Sequence, residues 1–113
     1  MNFSSLILES KGYMWVTRCP LVYNRDTEVI TVPENFTTDL ASVPKVLWGV
    51  MPPFGNHTKA AVLHDYLYGQ ALRPRKQCDE IFLEAMETMG VSKTRRYLMY
   101  WAVRAFGGKA YGG

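Results

Sequence analysis

The chain offers no disulfide framework. Its only two cysteines are Cys19 and Cys78, and neither has a Cys or His neighbour at zinc-finger spacing. No disulfide is expected; both read as buried thiols, and a reducing compartment follows as an expectation. Long apolar runs are missing too, since none approaches the roughly 18 residues that a membrane span needs. Residues 1–9 carry no basic stretch, and Glu9 and Lys11 interrupt the apolar character, so no signal peptide is expected. A soluble protein in the cytoplasm of the producing cell is the expectation. No sign of charge dominates: 13 basic against 10 acidic residues leave a net +3, which is weak evidence for an anionic partner. Repeats and low-complexity segments are also lacking.

What is present suits a packed core. Hydrophobic residues make up 48% of the 113 and charged ones 20%, which fits one domain of modest size, residues 1–113. Residues 1–12 can hold a short edge strand. Tyr13, Trp15, Val16 and Thr17 give residues 13–19 strand composition. Pro20 marks a bulge or an edge position, Asn24-Arg25-Asp26 a turn, and residues 28–32 a second strand ended by Pro33. These two strands are predicted to pair as an antiparallel hairpin. Asp39 or Ser42 can cap a short helix over 44–50 that opens at Pro44. Apolar residues at helical spacing then predict helices over 58–68, from Pro74 to Met89, and from Lys93 to about Phe106. Gly90 and Gly107-Gly108 are stops and Ser92 a cap. The tail 107–113 is expected to fray, and Trp48, Trp101 and Phe106 are expected in the core. A small sheet followed by three or four packed helices is an α+β domain.

The chemistry concentrates on Ala60-Ala61-Val62-Leu63-His64-Asp65-Tyr66-Leu67-Tyr68. His64 and Tyr68 lie four apart and share one helix face. Asp65 points about 100° further round. The next helix follows after a short linker, packs antiparallel by default, and brings Asp79 to the same end. A carboxylate on one imidazole nitrogen leaves the other to act as a base or ligand. So His64, Asp79 and Tyr68 can form a catalytic group. Asp65, with Asp39 as a further ligand, can hold a substrate or a divalent cation such as calcium. The competing reading is a buried His–Asp–Tyr network that fixes helix packing. Ser42 reads as a cap or substrate contact, and it lacks the glycine elbow of a nucleophile. His57 reads as exposed at a helix start. On the last helix, Tyr97, Arg104 and either Tyr100 or Trp101 are expected to face inward, and Arg95 and Arg96 outward. Lys93, Arg95 and Arg96 form a weak anion-binding candidate; a solvated face accounts for them as well, and nucleic acid is not the expected partner.

Three ordered motifs carry a resemblance. They are Phe36-Thr37-Thr38-Asp39-Leu40-Ala41-Ser42-Val43-Pro44, the His64 motif, and Asp79-Glu80-Ile81-Phe82-Leu83-Glu84-Ala85-Met86. From about Tyr13 to Phe106 the chain resembles a small phage and prophage family catalogued as domain of unknown function 1353. That resemblance implies a phage or prophage origin and a compact domain, but no activity. More distantly, His64-Asp65-x-x-Tyr68 with Asp79 resembles the helix pair of secreted and viral phospholipases A2. It implies that His64 activates water, Asp65 binds calcium, and Asp79 and Tyr68 hold the histidine. The family's disulfides and glycine-rich calcium loop are absent.

Two expectations follow. One is a phage-encoded hydrolase, metal-assisted, with His64 as general base. The other is a non-enzymatic virion or tail component, or a host-directed binding protein. Either would sit in the cytoplasm of an infected or lysogenic host, or in the virion.

Overall fold

A computed structural model describes residues 1–39 and 55–112. The 44–50 helix, Ser42 and Trp48 lie outside the described residues. Six strands precede three helices: β1 (Asn2–Phe3), β2 (Leu8–Lys11), β3 (Met14–Thr17), β4 (Leu21–Asn24), β5 (Val29–Val32), β6 (Thr37–Thr38), α1 (Thr58–Gln70), α2 (Arg75–Thr88) and α3 (Lys93–Phe106). The fold is α+β, as the composition and spacing indicate.

The strands form two three-stranded antiparallel sheets, in the orders β1-β4-β5 and β2-β3-β6. The predicted hairpin between 13–19 and 28–32 does not form. Instead β3 pairs with β2, Met14 opposite Lys11, and β5 pairs with β4, Leu21 opposite Val32. Pro20 explains the difference: it has no N–H for a ladder and fixes its own φ. It therefore ends one strand and starts another in a different sheet, rather than bulging within one. The turn at Asn24-Arg25-Asp26 closes β4 onto β5, with Arg25 N–H donating to Glu28 O at 2.8 Å. Gly12, at φ +68°, opens the two-residue β2–β3 turn, the first central position where a type II′ hairpin favours glycine.

Alternation then decides what enters the core. Leu21 and Tyr23 of β4, and Ile30 and Val32 of β5, point inward. They meet Ala60, Ala61, Val62, Leu63 and Leu67 of α1 and Phe82, Ala85 and Met86 of α2. The α1 helix is buried over most of its circumference, because the core cluster and α2 enclose it. Polar links pin the β4–β5 hairpin to α2: Tyr23 Oη donates to Glu84 Oε1 at 2.7 Å, and Arg25 donates to both Glu84 oxygens. On α3, Ser92 Oγ accepts from Arg95 N–H at 3.3 Å, a true N-cap. Gly90 lies at φ +79°, the left-handed conformation of a helix stop.

Two further expectations are corrected. Trp101 and Phe106 are exposed, and so is Tyr97, while Tyr100 is buried with Met99 and Val103. The inward face of α3 is thus set by Met99, Tyr100 and Val103, and a helix packed on one side alone need bury only one narrow stripe. His57 is buried, not exposed, at the start of α1. In the tail, expected to fray, a 3₁₀ turn at Gly107–Lys109 follows α3. Gly112 N–H donates to Tyr68 O at 2.9 Å, and the Tyr111 hydroxyl donates to Arg73 O.

Candidate functional site

Asp79 sits at the centre of the site. It occupies the second turn of α2 and is 0% exposed. Its Oδ1 accepts from His64 Nε2 at 2.7 Å and from Tyr68 Oη at 2.5 Å, and its Oδ2 accepts from Arg104 Nη1 at 2.8 Å. The four-residue step from His64 to Tyr68 explains the shared oxygen, since both side chains hang from one face of α1. Their rings lie 4.1 Å apart, and Phe82 backs the imidazole at 4.5 Å. His64 and Tyr68 are 2% and 3% exposed. The three α1 and α2 residues that the spacing predicted to converge are therefore brought together.

Burial alone would push the Asp79 carboxyl up. The hydrogen bonds from His64, Tyr68 and Arg104 outweigh it and hold Asp79 below the usual carboxylate range. The same burial, with the bond to Asp79, raises the Tyr68 phenol, which stays protonated and donates. An ionised Asp79 can only accept, so the proton between it and His64 belongs to Nε2. That assignment follows from the partner's chemistry.

Two arginines belong here that the site prediction omitted. Arg104 had been expected to face inward, and it supplies the third bond to Asp79. Arg75 Nε donates to Tyr68 Oη at 3.1 Å, and its Nη2 donates to the carbonyls of Val103 and Arg104 at 2.6 and 2.8 Å. These carbonyls are at the C-terminal end of α3, where a cation is favoured. The signal was legible for Arg75, which precedes Asp79 by four residues and so shares its helix face.

Asp65 faces elsewhere, into an open cleft of about 380 Å³ that Asp39, Phe36, Met14 and Lys109 also line. Thr38 Oγ1 donates to Asp65 Oδ2 at 2.5 Å. Burial raises the Asp65 carboxyl, Thr38 partly offsets that, and the Asp39 charge adds to it. Thr38 was missed because its neighbour Asp39 drew the prediction; the alternation of β6 turns Thr38 inward. Two carboxylates thus share one cleft. Among the described residues no group of three or more His, Cys, Asp or Glu side chains could hold a metal ion.

The basic cluster on α3 is split. Lys93 and Arg95 are exposed. Arg96, expected outward, is largely covered: it donates to Val91 O at 3.2 Å, pairs with Glu87 at 3.6 Å and lies over the Tyr97 ring. No helix among the described residues is long and apolar enough to cross a membrane.

Comparison with known proteins bears on this arrangement. The chain is 35% identical over 78 residues to the uncharacterized protein y4jT of Sinorhizobium fredii, covering 67% of this chain and 23% of that one. It is 33% identical over 72 residues to the uncharacterized protein y4iH of the same organism, covering 62% of this chain and 30% of that one. The matched stretch therefore spans less than a third of the length of these relatives. No solved structure matches it. A family model described as "Protein of unknown function (DUF1353)" matches residues 15–103, which include His64, Asp65, Tyr68 and Asp79. The chain belongs to the DUF1353 family.

Proposed function

We propose that this is a small phage-encoded protein with a hydrolytic His–Asp site in which His64 is the general base. The observation that carries the reading is the 2.7 Å bond between His64 Nε2 and Asp79 Oδ1. With Nε2 engaged by Asp79, Nδ1 is the nitrogen through which the ring would act as a base. Nδ1 takes a proton from water as the water oxygen attacks an ester or amide carbonyl, and that proton then passes to the leaving group. Asp79 stays ionised and stabilises the imidazolium, as Tyr68 and Arg104 hold it in place. Asp65 and Asp39, on the cleft side, would orient the substrate.

The test uses chromogenic esters of short and long acyl chains, and phospholipid vesicles. Turnover by the wild type, lost in His64→Gln with the melting temperature kept within a few degrees, supports the reading. Unchanged turnover in that variant sinks it.

A second reading rests on the near-complete burial of His64, Tyr68 and Asp79. There the network clamps α1, α2 and α3 together, and the protein is a virion or tail component or a host-directed binding protein. It would reside in the virion or the host cytoplasm. No turnover on any probe, a large drop in melting temperature for His64→Gln, and co-sedimentation with virions would favour it.

A further inference from the structure

We infer that the outward face of α3 docks on an anionic lipid surface. Opposite the stripe buried by Met99, Tyr100 and Val103, the helix presents Tyr97, Leu98 and Trp101, at 39%, 41% and 63% exposure. At about 100° per residue, Tyr97, Trp101 and Leu98 fall within a third of the circumference. Lys93 flanks this stripe on one side and Arg95 on the other, both exposed. Among the described residues neither forms an ion pair. The helix sequence contains Lys93, Arg95, Arg96 and Arg104 and no acidic residue.

Charge and area select the occupant. A second copy meeting this face would bring unpaired cations against cations, which is repulsive. Taking about 150–250 Å² for each aromatic side chain, the exposed apolar area is on the order of 300 Å². A standard protein interface takes about 800 Å² from each partner, so the patch is small for a stable protein partner. A nucleic acid would neutralise Lys93 and Arg95 but would leave Leu98 without an apolar environment. A lipid headgroup boundary meets both demands: acyl chains and glycerol receive Trp, Tyr and Leu, and anionic phosphates meet Lys and Arg. Peripheral attachment of this kind needs no membrane-spanning helix.

Co-sedimentation of the full chain with vesicles tests this, comparing phosphatidylglycerol–phosphatidylcholine mixtures with pure phosphatidylcholine. The expected result is binding to the anionic vesicles alone, weakened by high salt. Lys93→Glu with Arg95→Glu lowers the apparent affinity at least about tenfold, since each basic residue near an anionic surface contributes on the order of 1 kcal/mol. Trp101→Ser with Leu98→Ser reduces binding without moving the melting temperature, because both positions are on the surface. Absence of binding, equal binding to neutral vesicles, or charge-reversed protein that binds like the wild type overturns the inference. So does self-association that Trp101→Ser abolishes, or duplex DNA binding that the charge reversal abolishes while vesicles are ignored.

Discussion

Replacing Asp79 with alanine removes the acceptor for three donors at once. His64 Nε2 and Tyr68 Oη are left inside the protein with no carboxylate to meet them, and both side chains are almost inaccessible to water. Each orphaned buried donor costs about 1–3 kcal/mol, and removing one partner of a buried ion pair costs about 3–5 kcal/mol. Arg104 adds less, because its side chain is 27% exposed and can turn to solvent. Asp79→Ala is therefore expected to lose about 3–5 kcal/mol, a large share of the roughly 5–15 kcal/mol that stabilises a typical domain. That corresponds to a melting temperature lower by about 10–20 °C. Asp79→Asn keeps the shape and one acceptor oxygen, so it is expected to lose about half as much.

The pH dependence has a definite sign. The folded-state carboxyl of Asp79 lies below its ordinary range. Its stabilisation is thus present above the unfolded value near pH 4 and is lost as pH falls through the lowered folded value. The gap between wild type and Asp79→Ala should narrow under acid. Urea unfolding followed by far-ultraviolet circular dichroism, at pH 7 and at pH 3, measures both effects. A loss below about 1 kcal/mol at pH 7 would refute the central place given to this carboxylate.

Asp65→Asn is expected to raise stability at pH 7, because burial, with Asp39 adding, raises the Asp65 carboxyl. An acid raised in the folded state loses stability as pH rises through the window between its ordinary and raised values. The benefit should therefore shrink toward pH 4, and thermal melts across that range check the sign. Gly107→Ala places a Cβ 3.1 Å from Tyr68 Oη and 3.4 Å from Arg75 Nη2, two groups held by their own hydrogen bonds. The backbone there, at φ −81°, suits alanine, so a loss of about 1–2 kcal/mol in chemical denaturation would report the steric contact alone. Ala71→Gly should stabilise by roughly 0.5–1 kcal/mol, since Ala71 caps α1 in the left-handed region at φ 50°. A lower urea midpoint would refute it.

Local chemistry made the helices legible. Ser92, Gly90 and the four-residue steps of α1 and α2 act within a turn or two, where sequence distance and spatial distance coincide. Those steps alone placed His64 and Tyr68 on one face, and with the short Ala71–Pro74 linker they brought Asp79 to it. Strand partners were not legible in the same way. Residues 13–17 have the composition of a strand that could pair with β5, but a ladder is chosen by what lies across it. Proline at position 20 divided the sheets in a way that only the assembled layers reveal. The exposed Trp101 and Phe106 show the same limit: hydrophobicity says that a side chain gains from burial, but not whether a neighbour exists to bury it. Arg104 reaching Asp79 and Thr38 reaching Asp65 are contacts across 25 and 27 residues. Each depends on how α3 and β6 pack onto α1 and α2, which no periodicity within either segment encodes.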